Sequence, residues 1–348
     1  VFLGDRKMDP RENWRPYLRQ LAMDQRAGLT NALFVRQVPS RSAIPTVALI
    51  ADGEQLQNMN ADILRYGLGD VERRAEANGL LAGPGDQIFP MKMRLRGTNM
   101  WHHQQWKPSL QVRLAGRKLV DGYRDHLLVA PEDATGLRNW LSVELANRMG
   151  LPNTEEAPVR VFLNGAYKGL YTRQRRLDES LLIHQGRPPG PFVRLESMMG
   201  RAFVRKEAMI YSPQDWEVQG TSDPEAARES LRPLLELCNE PPSPQRFARM
   251  NELMDQDAMA NFLVLAAHSG TTHLEHHNLA FWLDTVSGRW VPVPIDLNGY
   301  GMRAGTDPDL SVVLFRNMIF YSWLQDPRNL ALFTQRLDAY ISGTGSAQ

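Results

Sequence analysis

The dipeptide Asn164-Gly165 constrains this chain more than any other feature. It stands between two strand-like runs, Val159-Arg-Val161-Phe-Leu163 and Ala166-Tyr167-Lys-Gly-Leu170-Tyr171. Both residues tolerate positive φ, so a tight turn between antiparallel strands is predicted, with a structural role. Two other stretches share the period of two. Met91-Lys-Met-Arg-Leu95-Arg96 alternates apolar and basic residues, as does Leu110-Gln-Val112-Arg-Leu114. Each reads as a half-buried strand, and the two are predicted to pair. Thr46 to Ile50 reads as a fully buried strand.

Helical signals are interleaved with these. Residues 1–43 place Trp14, Tyr17, Leu18, Leu21 and Ala22 at helical spacing, a helical lead-in. A helix is predicted over 136–149, with Leu141, Leu145 and Met149 on its buried stripe and Gly150 as its C-cap. Loop-rich sequence over 186–244 contains a helix near Pro224 to Cys238 and the break Pro241-Pro242-Ser243-Pro244, a boundary or long excursion. An apolar helix runs from Asp257 to about Ala267. A hairpin follows, Leu279 to Leu283 and Arg289 to Val293, turning at Ser287-Gly288, and the rest is helical.

Composition removes several classes of function. Forty Lys and Arg stand against 39 Asp and Glu in 348 residues, a net charge of +1. Near-neutrality argues against bulk nucleic-acid binding, which needs a basic surface to release counterions. The one cysteine, Cys238, excludes an intrachain disulfide framework and a CxxC zinc site. No stretch reaches the ~18 apolar residues of a membrane span. The chain opens on Val1, and a membrane anchor or signal upstream of residue 1 is expected.

Chemistry concentrates after the apolar helix. His268, His273, His276 and His277 fall within ten residues, and the following hairpin ends at Asp296. Three readings are open. His273 with His276 or His277, and Asp296, has the spacing of a metal site. The histidines are also explained as loop residues bonding the backbone. Phosphotransfer is the third: it needs a cation for nucleotide phosphate, oxygen ligands for Mg²⁺, and a group to orient the attacking hydroxyl. Asn278 is five residues after His273, and Asp296 follows one hairpin later, the order of these elements in protein kinases. Lys107, before the Ser109 to Leu114 strand, is the matching cation, and Glu144 on the next helix is its carboxylate partner.

Five segments resemble the CotH kinase family, over about residues 44–300. They are Met93-Arg-Leu-Arg96-Gly97-Thr98 with Lys107-Pro-Ser109; Asp133-Ala-Thr-Gly-Leu137-Arg138-Asn139-Trp-Leu141 with Glu144; Val161 to Tyr171 with its Asn-Gly-x-Tyr-x-Gly-x-Tyr pattern; His277-Asn278-Leu-Ala-Phe281-Trp282; and Val293-Pro-Ile-Asp296-Leu-Asn298. The resemblance implies an α+β, divergent protein-kinase-like bilobal fold, with an antiparallel-sheet N-lobe (about 44–180), a mainly helical C-lobe (about 181–340) and a tail (341–348). It implies transfer of phosphate from ATP, with Mg²⁺ or Mn²⁺, to Ser/Thr of a protein partner. Arg96 and Lys107 would bind the nucleotide, with Glu144 as the lysine's partner. Asn278, Asp296 and Asn298 would hold metal, and His273, with Glu275 two residues on and Asp296, would serve catalysis.

Three positions depart from the family pattern. His273 stands where an aspartate is usual, Asn298 replaces the second carboxylate of Asp-x-Asp, and Arg175 replaces a glutamate. They motivate an alternative, a pseudokinase acting as a binding or scaffold module in a coat or envelope assembly. A histidine-rich metal-dependent hydrolase is the third possibility. The family resemblance also implies an extracytoplasmic or envelope location.

Overall fold

The computed structural model describes residues 2–3, 6–7, 44–66, 74–82, 87–97, 100–103, 107–116, 118–131, 137–195, 212–270, 274, 278–297 and 317–343. The chain divides into two compact units. Unit 1 comprises Val1–Leu137 and Glu156–Arg176, and unit 2 Arg138–Glu155 and Leu177–Gln348. Of the predicted helical lead-in, Phe2–Leu3 and Arg6–Lys7 are described and pair as two short antiparallel strands rather than helix, while Trp14 and Tyr17 lie outside the described residues.

Unit 1 is a closed seven-stranded barrel. Its strands are β1 (Thr46–Ala51), β2 (Ala77–Ala82), β3 (Ile88–Leu95), β4 (Leu110–Leu114), β5 (Asp125–Val129), β6 (Ala157–Leu163) and β7 (Ala166–Gln174). They neighbour one another in the order β1-β2-β3-β4-β5-β7-β6. The predicted pairing of Met91–Leu95 with Leu110–Leu114 is present, with Met93 opposite Val112. Alternation puts Val47, Leu49, Met91, Met93, Leu95, Leu110, Val112, Leu114, Val159, Val161 and Tyr171 into one buried cluster. Helix α1 (Gly53–Tyr66) adds Met59, with Leu56 and Ile63 packed beside it, at i, i+3 and i+7.

Closure depends on β1 and β6, which pair in parallel while every other pair in the barrel is antiparallel. Asn164 finishes that seam. Its backbone N–H donates to Leu49 O at 2.8 Å. Its side chain accepts from Ala51 N at 2.8 Å and donates to Ala51 O at 2.9 Å. The primary amide therefore extends the β1 ladder as a backbone peptide would. Asn164 and Gly165 have φ of 50° and 77°, as the two-residue turn requires.

Unit 2 carries a four-stranded antiparallel sheet in the order β9-β8-β10-β11, from β8 (Phe192–Leu195), β9 (Trp216–Gln219), β10 (Leu279–Asp284) and β11 (Arg289–Pro294). Around it lie α2 (Arg138–Arg148), α3 (Glu179–His184), α4 (Pro224–Asn239), α5 (Pro244–Leu253), α6 (Gln256–Ser269), α7 (Met318–Leu324) and α8 (Pro327–Ile341). Phe262, Leu263, Val264, Leu265 and Ala266 on α6 are all essentially inaccessible, so this helix is buried on every side. Gly270 caps it in the left-handed conformation at φ 60°. The buried residues of α2 are Ser142, Val143 and Ala146. Leu141, predicted for the buried stripe, is 44% exposed. Among the described residues no helix is long and apolar enough to cross a membrane.

These units correct the expected bilobal kinase-like fold. The first unit is a closed barrel rather than an open antiparallel sheet, because β1 meets β6 in parallel. The second is organised on a four-stranded sheet rather than being a mainly helical lobe. Strand alternation reports which face of a strand is buried, but not whether the first and last strands of a sheet meet.

Candidate functional site

In unit 2 the chemistry gathers at one end of the β10–β11 hairpin. Leu279 pairs with Pro294 as the last rung of that ladder. Asn278 and Asp296, just beyond it, emerge at the same end. Both take left-handed backbone, φ 57° and 52°, which Asn and Asp tolerate best among residues with a Cβ. Asn278 Nδ2 donates to Asp296 Oδ2 at 2.6 Å. Its Oδ1 accepts from an Arg194 terminal nitrogen at 3.5 Å. Asn139 Nδ2 lies 3.5 Å from the other Asp296 oxygen.

Helix α2 fixes this end of the site. Ser142 Oγ donates to Leu297 O at 2.6 Å, tying the helix to the residue after Asp296. One turn earlier the same helix presents Asn139. Glu144 is on this helix too, with a half-exposed side chain, and its recorded ion pair is with Arg148 at 3.6 Å.

The predicted metal donors are all oxygen, from one carboxylate and amides, which suits a hard cation such as Mg²⁺. One observation supports that fit. Asn139 Oδ1 is a buried acceptor with no donor among the described residues, an uncommon state for a buried polar atom. Asp296 supplies the carboxylate of this corner, while the amides of Asn278 and Asn139 turn their N–H groups to it, so each would rotate to offer its oxygen to a cation. Asn139 and Arg194 were not among the predicted site residues. A signal for Arg194 was present, a charge inside Phe192-Val193-Arg194-Leu195, whose other members are all buried.

In unit 1 the residues of the Asn-Gly-x-Tyr-x-Gly-x-Tyr pattern build a platform under Lys107. Asn164-Gly165 makes the turn, and Tyr167 packs on Phe162 with ring centroids 5.1 Å apart. The ladder shifts register between Val161 and Phe162, and Gly169, at φ 100°, sits in that irregularity. A Cβ on Gly169 would lie 3.6 Å from Lys107 Cε and Nζ, so the strand runs in contact with the lysine. Tyr171 donates from its buried hydroxyl to Pro108 O at 3.0 Å, and burial pushes its phenol pKa up. Lys107 Nζ stands 5.5 Å from the centre of the same ring.

Ser109 completes the clamp. Its hydroxyl accepts from Ala130 N at 2.8 Å and lies 3.0 Å from His102 Nδ1. Arg96 N donates to Ser109 O at 2.9 Å. The neighbouring Gly97 carbonyl accepts from Arg74 at 2.6 Å and lies 2.9 Å from His103 Nε2. Arg175 is buried, stacked 3.1 Å from the centroid of Tyr123. His126, close by, is 1% exposed, and neither ring nitrogen is hydrogen-bonded among the described residues. Burial, then the Arg173 charge, lowers its pKa to about 4.

His273, Glu275, His276, His277 and Asn298 lie outside the described residues. His268, on α6, packs edge-on against Tyr340 at 5.2 Å between ring centroids. Among the described residues no cluster of three or more His, Cys, Asp or Glu is placed to hold a metal.

A family model described as CotH kinase protein matches residues 94–338. No curated protein sequence matches the chain. The matched span is most of the chain: this protein belongs to the CotH kinase family, and a kinase-like function follows from that membership.

Proposed function

We propose that this CotH kinase family chain transfers the γ-phosphoryl group of ATP to serine or threonine of a protein partner, with Mg²⁺ or Mn²⁺. The observation carrying this reading is the convergence of Asn278 and Asp296 at one hairpin end, joined at 2.6 Å. Asp296, with the amide oxygens of Asn278 and Asn139, is the set that would hold the cation, and Asn298 is two residues on. Bound there, the cation would supply charge neutralisation for phosphate oxygens.

The chain's own residues divide the remaining work. Lys107, held over Tyr171, is assigned to nucleotide phosphate, with Arg96 beside the pinned Gly97. His273 is assigned to accept the hydroxyl proton as the oxygen–phosphorus bond forms, with Glu275 nearby in sequence. ADP leaves as the bond to its β-phosphate oxygen breaks. A partner in a coat or envelope assembly, and a location outside the cytoplasm, are part of this proposal; cell fractionation tests the location.

Radiolabelled ATP with Mg²⁺ or Mn²⁺ and candidate partner proteins tests the activity. Label should pass to serine or threonine, and Asp296→Ala should abolish transfer. Transfer that survives this substitution removes Asp296 from the role. Binding of ATP without turnover under the same conditions would favour the scaffold reading instead. That reading has its own support: buried Arg175 stacks on Tyr123 where the family usually carries a glutamate.

A further inference from the structure

Arg194 stands in the middle of β8, opposite Glu217 on β9 and Ala280 on β10. Its neighbours Val193 and Leu195 are fully buried. Among the described residues Arg194 forms no ion pair, its Nε is buried without a hydrogen bond, and its recorded polar contact is the amide oxygen of Asn278. A part-buried guanidinium in this position has a desolvation cost that no carboxylate offsets directly.

Asn278 thus lies between a cation and an anion. Its oxygen faces Arg194 and its NH₂ faces Asp296. Turned over, the amide would set its oxygen against the carboxylate and its NH₂ against the guanidinium, two unfavourable contacts in place of two favourable ones. A ligand amide must do the reverse of what is seen: it must bring its oxygen to the side where Asp296 lies. Guanidinium, amide and carboxylate form a relay that compensates the Asp296 charge from within the chain.

We propose that Arg194 is an affinity-setting residue that competes with the divalent cation for the Asn278–Asp296 pair. The inference rests on the cation assignment above. It makes Arg194 a positioning residue acting through Asn278, and it makes cation binding require release of the amide. Loss of the Arg194–Asn278 contact should tighten binding even where a positive charge is retained.

The test is Mn²⁺ titration of the full chain without nucleotide, by calorimetry and by the paramagnetic signal of free Mn²⁺. Arg194→Met should bind about tenfold more tightly than the parent, and Arg194→Lys, which keeps charge but loses the planar fork, about threefold. Asp296→Ala should lose the site in every background. Equal or weaker binding by both Arg194 variants overturns the inference while leaving the cation assignment standing. Tightening in Arg194→Met alone overturns the amide relay and leaves only bulk charge. No Mn²⁺ binding by any form at millimolar concentration removes the cation assignment and the inference together. If Arg194→Met does not fold, as read by thermal melting, Arg194→Lys decides. Failure of both to fold makes Arg194 a requirement of the strand and overturns its tuning role.

Discussion

Acidification should loosen the barrel through one residue. His126 sits on β5 opposite Val112, a fully buried member of the barrel core, and among the described residues neither of its ring nitrogens is hydrogen-bonded. The charged groups around it are Arg173 and Arg175, which oppose protonation, and Asp121 and Asp125, which favour it, with burial the largest influence. The folded pKa is about 4 against an ordinary 6.5. Because the folded state holds the neutral ring, the stabilisation is fully present above pH 6.5, is lost progressively as pH falls from there, and is gone once pH has fallen through 4. The whole shift corresponds to roughly 3 kcal/mol, and by pH 5 about 2 kcal/mol of it is gone. Other groups titrate in that window, so the measurement is a difference between proteins. Urea unfolding of the parent and of His126→Leu at pH 7.5 and pH 5.0, with hydrogen exchange read over Asp125–Val129, isolates the term. The parent should lose about 2 kcal/mol more than the variant on going to pH 5. His126→Leu should also be at least as stable at pH 7.5, because it removes buried nitrogens that have no partners. Equal acid losses in the two proteins, or an NMR titration of His126 near 6.5, would refute the reasoning.

Three further outcomes follow from contacts already described. Asn164→Ala should cost about 1 kcal/mol relative to Asn164→Gly in urea unfolding, since both variants lose the two bonds to Ala51 and the alanine alone carries the left-handed backbone strain. Gly97→Ala should destabilise unit 1 by more than about 2 kcal/mol in thermal melting, because a Cβ would collide with the His102 ring and φ is 93°. Tyr171→Phe should cost about 1 kcal/mol through the lost bond to Pro108 O, yet leave ATP affinity nearer to the parent than Tyr171→Ala does, because the aromatic face under Lys107 persists.

Local patterning was legible wherever one physical cause dominated. The Asn164-Gly165 turn, the pairing of Met93 with Val112 and the buried helix ending at Gly270 all follow from period and turn chemistry. Leu141 shows the limit. The α2 helix buries Ser142, Val143 and Ala146 and packs Leu145 and Met149 against the same core, so of the predicted stripe it is Leu141 that turns to solvent. The parallel β1–β6 seam was not readable, because pairing between strands more than a hundred residues apart leaves no local signal. That Asn278 and Asp296 emerge at the same end of a hairpin was legible from their order around it, and what they do there belongs to the proposal. Arg194 and Asn139 were not assigned, since each matters only through its contact with one of those two.

That seam also sets terms for how the chain can be made and cut. The barrel is interrupted: residues 138–155 belong to unit 2, and β6 and β7 come only afterwards. During synthesis β1 waits, with an open edge, until residues 157–163 leave the ribosome, and an unpaired edge is a template for association with other chains. A fragment ending at Leu137 would keep β1 through β5 and lack the partners of both outer strands. Such a fragment is expected to aggregate rather than fold. Dissection of this protein should therefore proceed by circular permutation, which keeps every strand, rather than by truncation at the boundary between its units.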